Sequence, residues 1–242
     1  MRPNHGGESA RRQNGEALRF DLKDSPVREL NRALHERGAE GRSIRVANPG
    51  GKHNVAVGAR FRGEVFIDGH VGYYCAGMNQ NAAIVVNGNA GPGLAENMMS
   101  GQVRVKGDAS QYGGATAHGG LLVIEGNAAA RCGISMKGAD IVVGGSIGHL
   151  SAFMAQSGRL VVCGDAGDAL GDSIYEARIY LRGKAAGLGA DCIEKPMEAS
   201  HREELAYLLD QAELGGMKAG DFRRFGSARQ LYHFQIDHLG AY

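Results

Sequence analysis

The 242 residues carry 27 Lys and Arg against 26 Asp and Glu; a formal net charge of +1 gives no electrostatic basis for holding nucleic acid or an anionic membrane. Hydrophobic residues make up 43%, but 39 glycines, no tryptophan and 6% aromatics describe a narrow interior filled by small side chains. No stretch approaches the ~18 apolar residues of a membrane-spanning helix, and Cys75, Cys132, Cys163 and Cys192 form no CxxC pair, which excludes an obvious disulfide framework or zinc site and fits a reducing, cytoplasmic setting.

In chain order, residues 1–18 are polar and charged without an apolar h-region, so they read as a disordered extension and not as a secretory signal. The next segment, 19–42, holds a helix: Ser25-Pro26 offers an N-cap and a first-turn proline, and Val27, Leu30 and Leu34 form an apolar stripe that stops near Gly38. SIRVANPGG…VAVG (43–58) reads as the irregular first rung of a repeating stack.

From there to residue 195 the chain repeats. IVVNGNAGPG (84–93) looks like a strand entering a phosphate loop, but such a loop occurs once and launches a helix. Here VFIDG, IVVNG, VRVKG, LVIEG, IVVGG, LVVCG and IYLRG end on Gly69, Gly88, Gly107, Gly126, Gly145, Gly164 and Gly183, each nineteen residues after the last. Seven residues after each glycine, and again thirteen after, stand almost only alanine or glycine, as at Ala95, Gly114 and Gly133. Ile84-x-Val86 and its counterparts alternate with period two, which is a strand signal. Nineteen residues are too few for a pair of helices. The expected fold is therefore all-β: a right-handed parallel β-helix of about seven 19-residue rungs, with short N- and C-terminal helices.

By strand spacing the rod runs roughly 30 Å. Three short strands are expected in each rung. The closing glycines, and the Asn89, Asp108, Asn127 and Asp165 that follow four of them, are expected to turn corners at positive φ. Small columns are expected because like residues stack inside a narrow tube. A second helix, roughly 198–213, presents Leu205, Leu208, Leu209 and Ala212 on one face, and the aromatic, basic tail within 196–242 is expected to wrap along the rod.

Few residues offer chemistry. His70, His118 and His149 fall on different faces and levels, so no metal site is expected from them. Cys75 and Cys132 share a column three rungs apart, roughly 14 Å by strand spacing, too far for a disulfide. Cys163 stands on an outward column beside Lys106, Glu125 and Arg182 without an adjacent base. No catalytic, cofactor-binding or metal residue is assigned to this chain. The middle residue of each strand points outward: Phe66, Val85, Arg104, Val123, Val142, Val161 and Tyr180. Six of these seven are apolar or aromatic, so the stripe needs a cover, either the chain's own helices or another subunit. Phe66, Val85, Val123, Val142, Val161 and Tyr180 are thus the candidate interface.

The repeated unit resembles the GXGXG domain of the glutamate synthase large subunit, also found in one subunit of formylmethanofuran dehydrogenase. IDGHVGYYCAGMN (67–79), AENMMSGQVRVKGDASQ (95–111), ARCGISMKGADIVV (130–143), GDSIYEARIYLRG (171–183) and GLGADCIEK (187–195) are similar to the second subunit of N-methylglutamate synthase, a methylamine–glutamate N-methyltransferase. The resemblance covers about 20–242 and implies a cytoplasmic, heteromeric flavoenzyme. In it this chain would be a non-catalytic scaffold, beside a glutamine amidotransferase-like subunit and a flavin-bearing synthase subunit with FMN and an iron–sulfur cluster. The complex would make N-methylglutamate and ammonia from methylamine and glutamate. The alternative is the equivalent β-helix subunit of a glutamate synthase-like or formylmethanofuran dehydrogenase/formyltransferase complex.

Overall fold

The computed structural model describes residues 17–36, 40–214 and 216–230. The extension expected over 1–18 lies outside these except at its end, where Leu18 already opens a strand. The part of the tail expected to wrap the rod that falls in 231–242 also lies outside them.

The chain forms a parallel β-solenoid. Its strands are β1 (Leu18–Asp21), β2 (Ser43–Ala47), β3 (Glu64–Asp68), β4 (Ala83–Val86), β5 (Gln102–Val105) and β6 (Leu121–Ile124). They continue as β7 (Lys137–Val143), β8 (Ser157–Val162), β9 (Arg178–Leu181), β10 (Cys192–Lys195) and β11 (Arg223–Ser227). The helices are α1 (Val27–His35) and α2 (Ala199–Gln211). One sheet joins the strands in the order β1-β2-β3-β4-β5-β6-β7-β8-β9-β11-β10. From β3 to β9 the register keeps the period of the sequence: Val65 pairs with Ile84, Val103 with Leu122, Ile141 with Leu160. Each of these side chains points into the lumen and is buried.

Only one side of each rung is a strand, where three were expected. A second contact is a single bridge per rung, running Val71, Ala90, Ala109, Ala128, Ile147, Ala166, Ala185. The remainder is a turn in which alternate residues are left-handed. In one rung these are Tyr112, Gly114 and Thr116, with φ of 65°, 68° and 53°. The backbone still bonds between rungs there: the amides of Tyr112 and Thr116 donate to Ala130 and Ile134 on one side, and that of Gly114 to Leu94 on the other. A non-glycine residue costs about 1–2 kcal/mol in this conformation, so inter-rung hydrogen bonds and burial must outweigh it at many positions. The middle residue of the three faces the lumen. Left-handed φ and a narrow interior together select Ala76, Ala95, Gly114, Gly133, Ala152 and Gly171.

The closing glycines act differently from expectation. Of the seven only Gly69 has positive φ. The following Asn89, Asp108, Asn127 and Asp165 are not left-handed either. Their side chains form a ladder up the outside instead. The Asp108 amide donates to Asn89 Oδ1 at 3.0 Å, Asn127 to Asp108 Oδ1 at 2.7 Å, Ser146 to Asn127 Oδ1 at 2.9 Å, and Lys184 to Asp165 Oδ1 at 2.7 Å. Each ladder side chain lies across the glycine of the next rung. A Cβ built on Gly126 would fall within 3.0 Å of Asp108 Oδ1 and of the Gly107 carbonyl. These positions are glycine because of close approach, not backbone freedom.

Both ends of the stack depart from the repeat, and β1 and β10 are the edge strands of the sheet. β1 adds a parallel strand before β2, and α1 buries Leu30 and Leu34 in the core that includes Val55, Ala56 and Ala59. The helix begins one residue later than its sequence signal: Pro26, extended at φ −72°, takes the cap position, and no side-chain cap forms. At the far end β11 runs antiparallel between β9 and β10, which halts the parallel propagation.

Replacing Gly114 by valine should lower the melting temperature. The position is left-handed, where a β-branched residue is an outlier, and an added Cβ would come 2.5 Å from Ile141 Cδ1 and 3.1 Å from Leu122 Cδ2. The collision is across the lumen, not with the small residues stacked above and below. Strain and overpacking together cost about 2–6 kcal/mol; an unchanged thermal melt would contradict this placement of the side chains.

Candidate functional site on the outer face of the ladder

The outward stripe is real, and the chain covers most of it itself. Val123, Val142, Val161 and Tyr180 are completely buried beneath α2, packed with Leu205, Leu208, Leu209, Ala212 and Phe222. As a candidate interface with another subunit these four are corrected: their faces are taken. Cys163 belongs to the same buried cluster, and burial pushes its thiol up to about 11. Cys75 and Cys132 face the lumen and are pushed up to about 12 by burial, as is Cys192 at the end of the stack. None is a poised thiolate.

α2 is capped at its start by Glu198, whose side chain accepts from the His201 amide while the His201 ring accepts from the Glu198 amide. Its polar anchor is Glu204. Tyr180 donates its hydroxyl to Glu204 Oε1 at 2.5 Å, and Arg178 and Arg159 reach Oε2 at 2.7 and 3.2 Å. Burial alone would raise the Glu204 carboxyl, but the bonds from Tyr180 and Arg178 and the two arginine charges outweigh it and hold the group low. Arg159 also grips Asp140 through two parallel bonds. For Asp140 burial wins and the carboxyl is raised despite that partner. Periodicity does not reveal Glu204 or Arg159. The only sequence signal is an acidic residue beside the apolar face of the helix.

Arg104, the one charged member of the stripe, stands where α2 ends. It is 8% exposed, donates to the Ala212 carbonyl at 3.1 Å and pairs with Glu125 at 3.0 Å. A cation at a helix C-terminus satisfies orphan carbonyls and opposes the helix dipole. Beyond Arg104 the stripe is open. Phe66 and Val85, both half-buried, lie in a groove of about 330 Å³ with Glu64, Gln102, Lys106 and Glu213 along its sides. Arg45 lies 5.0 Å from the centre of the Phe66 ring. Of the six candidate interface residues, then, the structure brings four under α2 and leaves two in this groove.

Among the described residues no three His, Cys, Asp or Glu side chains are grouped to hold a metal ion, and no helix is long and apolar enough to cross a membrane. His70 belongs to the polar ladder, its Nδ1 accepting from the Asn89 amide at 2.9 Å. Gly88 and Gly91 sit against the backbone of the rung before them, where Cβ atoms would fall within 3.0 Å of Gly69 and Gly72, and Gly93 is left-handed at φ 72°. They serve stacking, not phosphate binding.

No family model matches the sequence. Protein GlxC of Rhizobium meliloti (strain 1021) is 60% identical over 225 residues, which span 92% of this chain and 99% of that protein.

Proposed function

Because the chain belongs to the GlxC family, and its sequence blocks resemble the β-helix subunit of N-methylglutamate synthase, we propose that it is a glutamate synthase-like scaffold subunit. The complex it serves is a heteromeric flavoenzyme that makes N-methylglutamate and ammonia from methylamine and glutamate. FMN and the iron–sulfur cluster belong to the flavin-bearing subunit, and the amidotransferase-like subunit is the third component. The observation that carries this reading is the closed interior. Apolar side chains, large in the ladder strands and small in the facing turns, fill the lumen from Val65 to Leu181, so what the chain does is done on its outside, as a rigid spacer.

In this reading the chain contributes geometry. A stack bonded rung to rung has few soft torsions, so subunits attached at different levels are held at a set separation. Co-expression with the flavin-bearing and amidotransferase-like subunits tests it. The expected result is a stable complex with a flavin spectrum that forms N-methylglutamate from methylamine and glutamate and is lost when this chain is omitted. Full assembly and turnover without the chain would overturn the reading, as would turnover of either substrate by the chain alone.

A further inference from the structure

We propose that the corner formed by Tyr73, Tyr74 and Glu96 is a docking surface for a partner subunit that presents an arginine or lysine flanked by apolar side chains. The inference rests on the scaffold reading above and goes beyond it by assigning the surface and the chemistry of the contact.

The corner lies on the turn side of the coil, away from the stripe under α2. Gly93 takes a position occupied by Tyr74 and Tyr112 in the rungs on either side. Glu96 folds over the space that a side chain there would fill: a Cβ on Gly93 would come 2.9 Å from Glu96 Oε2, 3.4 Å from the Tyr73 ring and 3.5 Å from the Tyr74 ring. Tyr73 stacks on Tyr74 with centroids 5.5 Å apart, and His53 meets the Tyr73 ring edge-on at 6.5 Å. The arrangement is braced from behind, since the Tyr73 amide donates to His53 Nδ1 and Asn97 donates to the Tyr74 hydroxyl oxygen.

Two observations single this corner out. The first is apolar exposure. Tyr73 is 47% exposed, and Met78, whose amide bonds the Glu96 carbonyl, is 44% exposed. Side chains of that size left in water at neighbouring positions mark a contact surface more than a solvated one. The second is an unmet charge. Half-buried carboxylates elsewhere are met by a cation or a donor: Glu125 by Arg104, Asp140 by Arg159, Glu204 by Arg159 and Arg178, Asp21 by Asn48, and Asp172 by Ser173 and the Ala190 amide. Glu96 is half-buried at the same corner as the two rings and has neither an ion pair nor a side-chain hydrogen bond among the described residues, and burial raises its carboxyl. A partly desolvated carboxylate costs free energy unless a cation or donor meets it. Tyrosine faces beside it add attraction for the same cation. Arginine among apolar neighbours satisfies both, and Arg and Tyr are the residue types that dominate interface energetics.

Glu96→Gln, Glu96→Lys and Tyr73→Ala in the full chain, each co-expressed with the flavin-bearing and the amidotransferase-like subunits, test the assignment. For one of the two, Glu96→Gln should raise Kd by about thirty-fold or more, and Glu96→Lys should raise it further, as expected for removing one member of a buried charge pair. The isolated chain should respond oppositely. Without a partner the carboxylate only costs, so Glu96→Gln should keep or raise the melting temperature. Unchanged Kd in all three variants, with the wild-type complex intact, would overturn this assignment and leave the scaffold reading standing. A wild-type chain that binds neither subunit would overturn both. A melting temperature lowered by Glu96→Gln would make the residue structural. Loss of self-association in Glu96→Lys would assign the corner to a second copy, and a Glu96→Gln effect abolished by deleting residues 231–242 would assign it to the chain's own end; each of these also overturns the proposal.

Discussion

Replacing Val142 by aspartate is expected to lift α2 from the sheet while the coil beneath it remains folded. Val142 is wholly buried at the centre of the outer stripe, between Val123 and Val161, and its cover is α2. A carboxylate placed there has no partner; uncompensated buried charges typically cost about 3–5 kcal/mol. The loss has a natural ceiling, because the helix can leave. Its apolar grip consists chiefly of Leu205, Leu208 and Leu209, each buried, and burial of three such side chains contributes at most about 5–9 kcal/mol before the entropy of holding the helix is subtracted. Glu204 adds an ion-pair anchor midway along the helix, but its partners lie on β8 and β9, not on the strand of residue 142. The expected readout is protease cleavage within 198–222 under conditions where the wild-type chain resists. The strand signal in circular dichroism should persist. Resistance equal to wild type would mean that α2 is not what buries this face.

Gly126→Ala should destabilise the coil itself. One methyl group is a small addition, yet here its carbon would overlap both the Asp108 carboxylate and the Gly107 backbone. The flexible side chain can swing away only by giving up its bonds from the Asn127 amide and the Asn127 side chain, at 2.7 and 3.1 Å. The backbone cannot move without separating two rungs. Overpacking of this kind costs about 1–3 kcal/mol, or roughly 2–12 °C in melting temperature for a chain of this length. Gly113→Ala is the control. It adds the same methyl to a buried glycine of the neighbouring turn, where the nearest atoms are Ile124 Cδ1 at 3.5 Å and Ala109 Cβ at 4.0 Å and the backbone is not left-handed. That variant should be neutral or stabilised by about 0.4–1 kcal/mol through the unfolded chain. Equal losses in both would mean that glycine composition in general, and not contact with the rung before, sets the stability.

The pair also shows why sequence alone mistakes the role of the corner glycines. Glycine has two uses, freedom of φ and absence of Cβ, and a sequence does not distinguish them. Here the two uses separate along each rung. Gly126 and its counterparts are needed for lack of a Cβ, because the preceding rung's Asn or Asp crosses over them. Left-handed backbone falls on Tyr112, Thr116, Arg131 and Ser135 as readily as on Gly114, because inter-rung hydrogen bonds hold it there. The outer stripe is legible in a similar, partial way. Alternation places Val123, Val142, Val161 and Tyr180 outward, and the leucine face of α2 is visible separately. That the two meet depends on where the chain after Lys195 turns, which no local pattern encodes.

What the sequence alone determined is the repeat and its consequence. A constant interval with no insertion forces identical rungs into register, and period-two strands with tiny lumen residues allow only a stacked parallel coil. The tertiary structure decided what remains exposed. α2 folds over four of the six candidate interface positions, Arg104 ends the covered stretch, and Tyr73, Tyr74 and Glu96, marked by no pattern in the sequence, come together at an open corner. Periodicity reports which side of the backbone a residue faces. Whether that side meets water or another part of the chain depends on contacts between distant segments, and these exist only once the coil has formed.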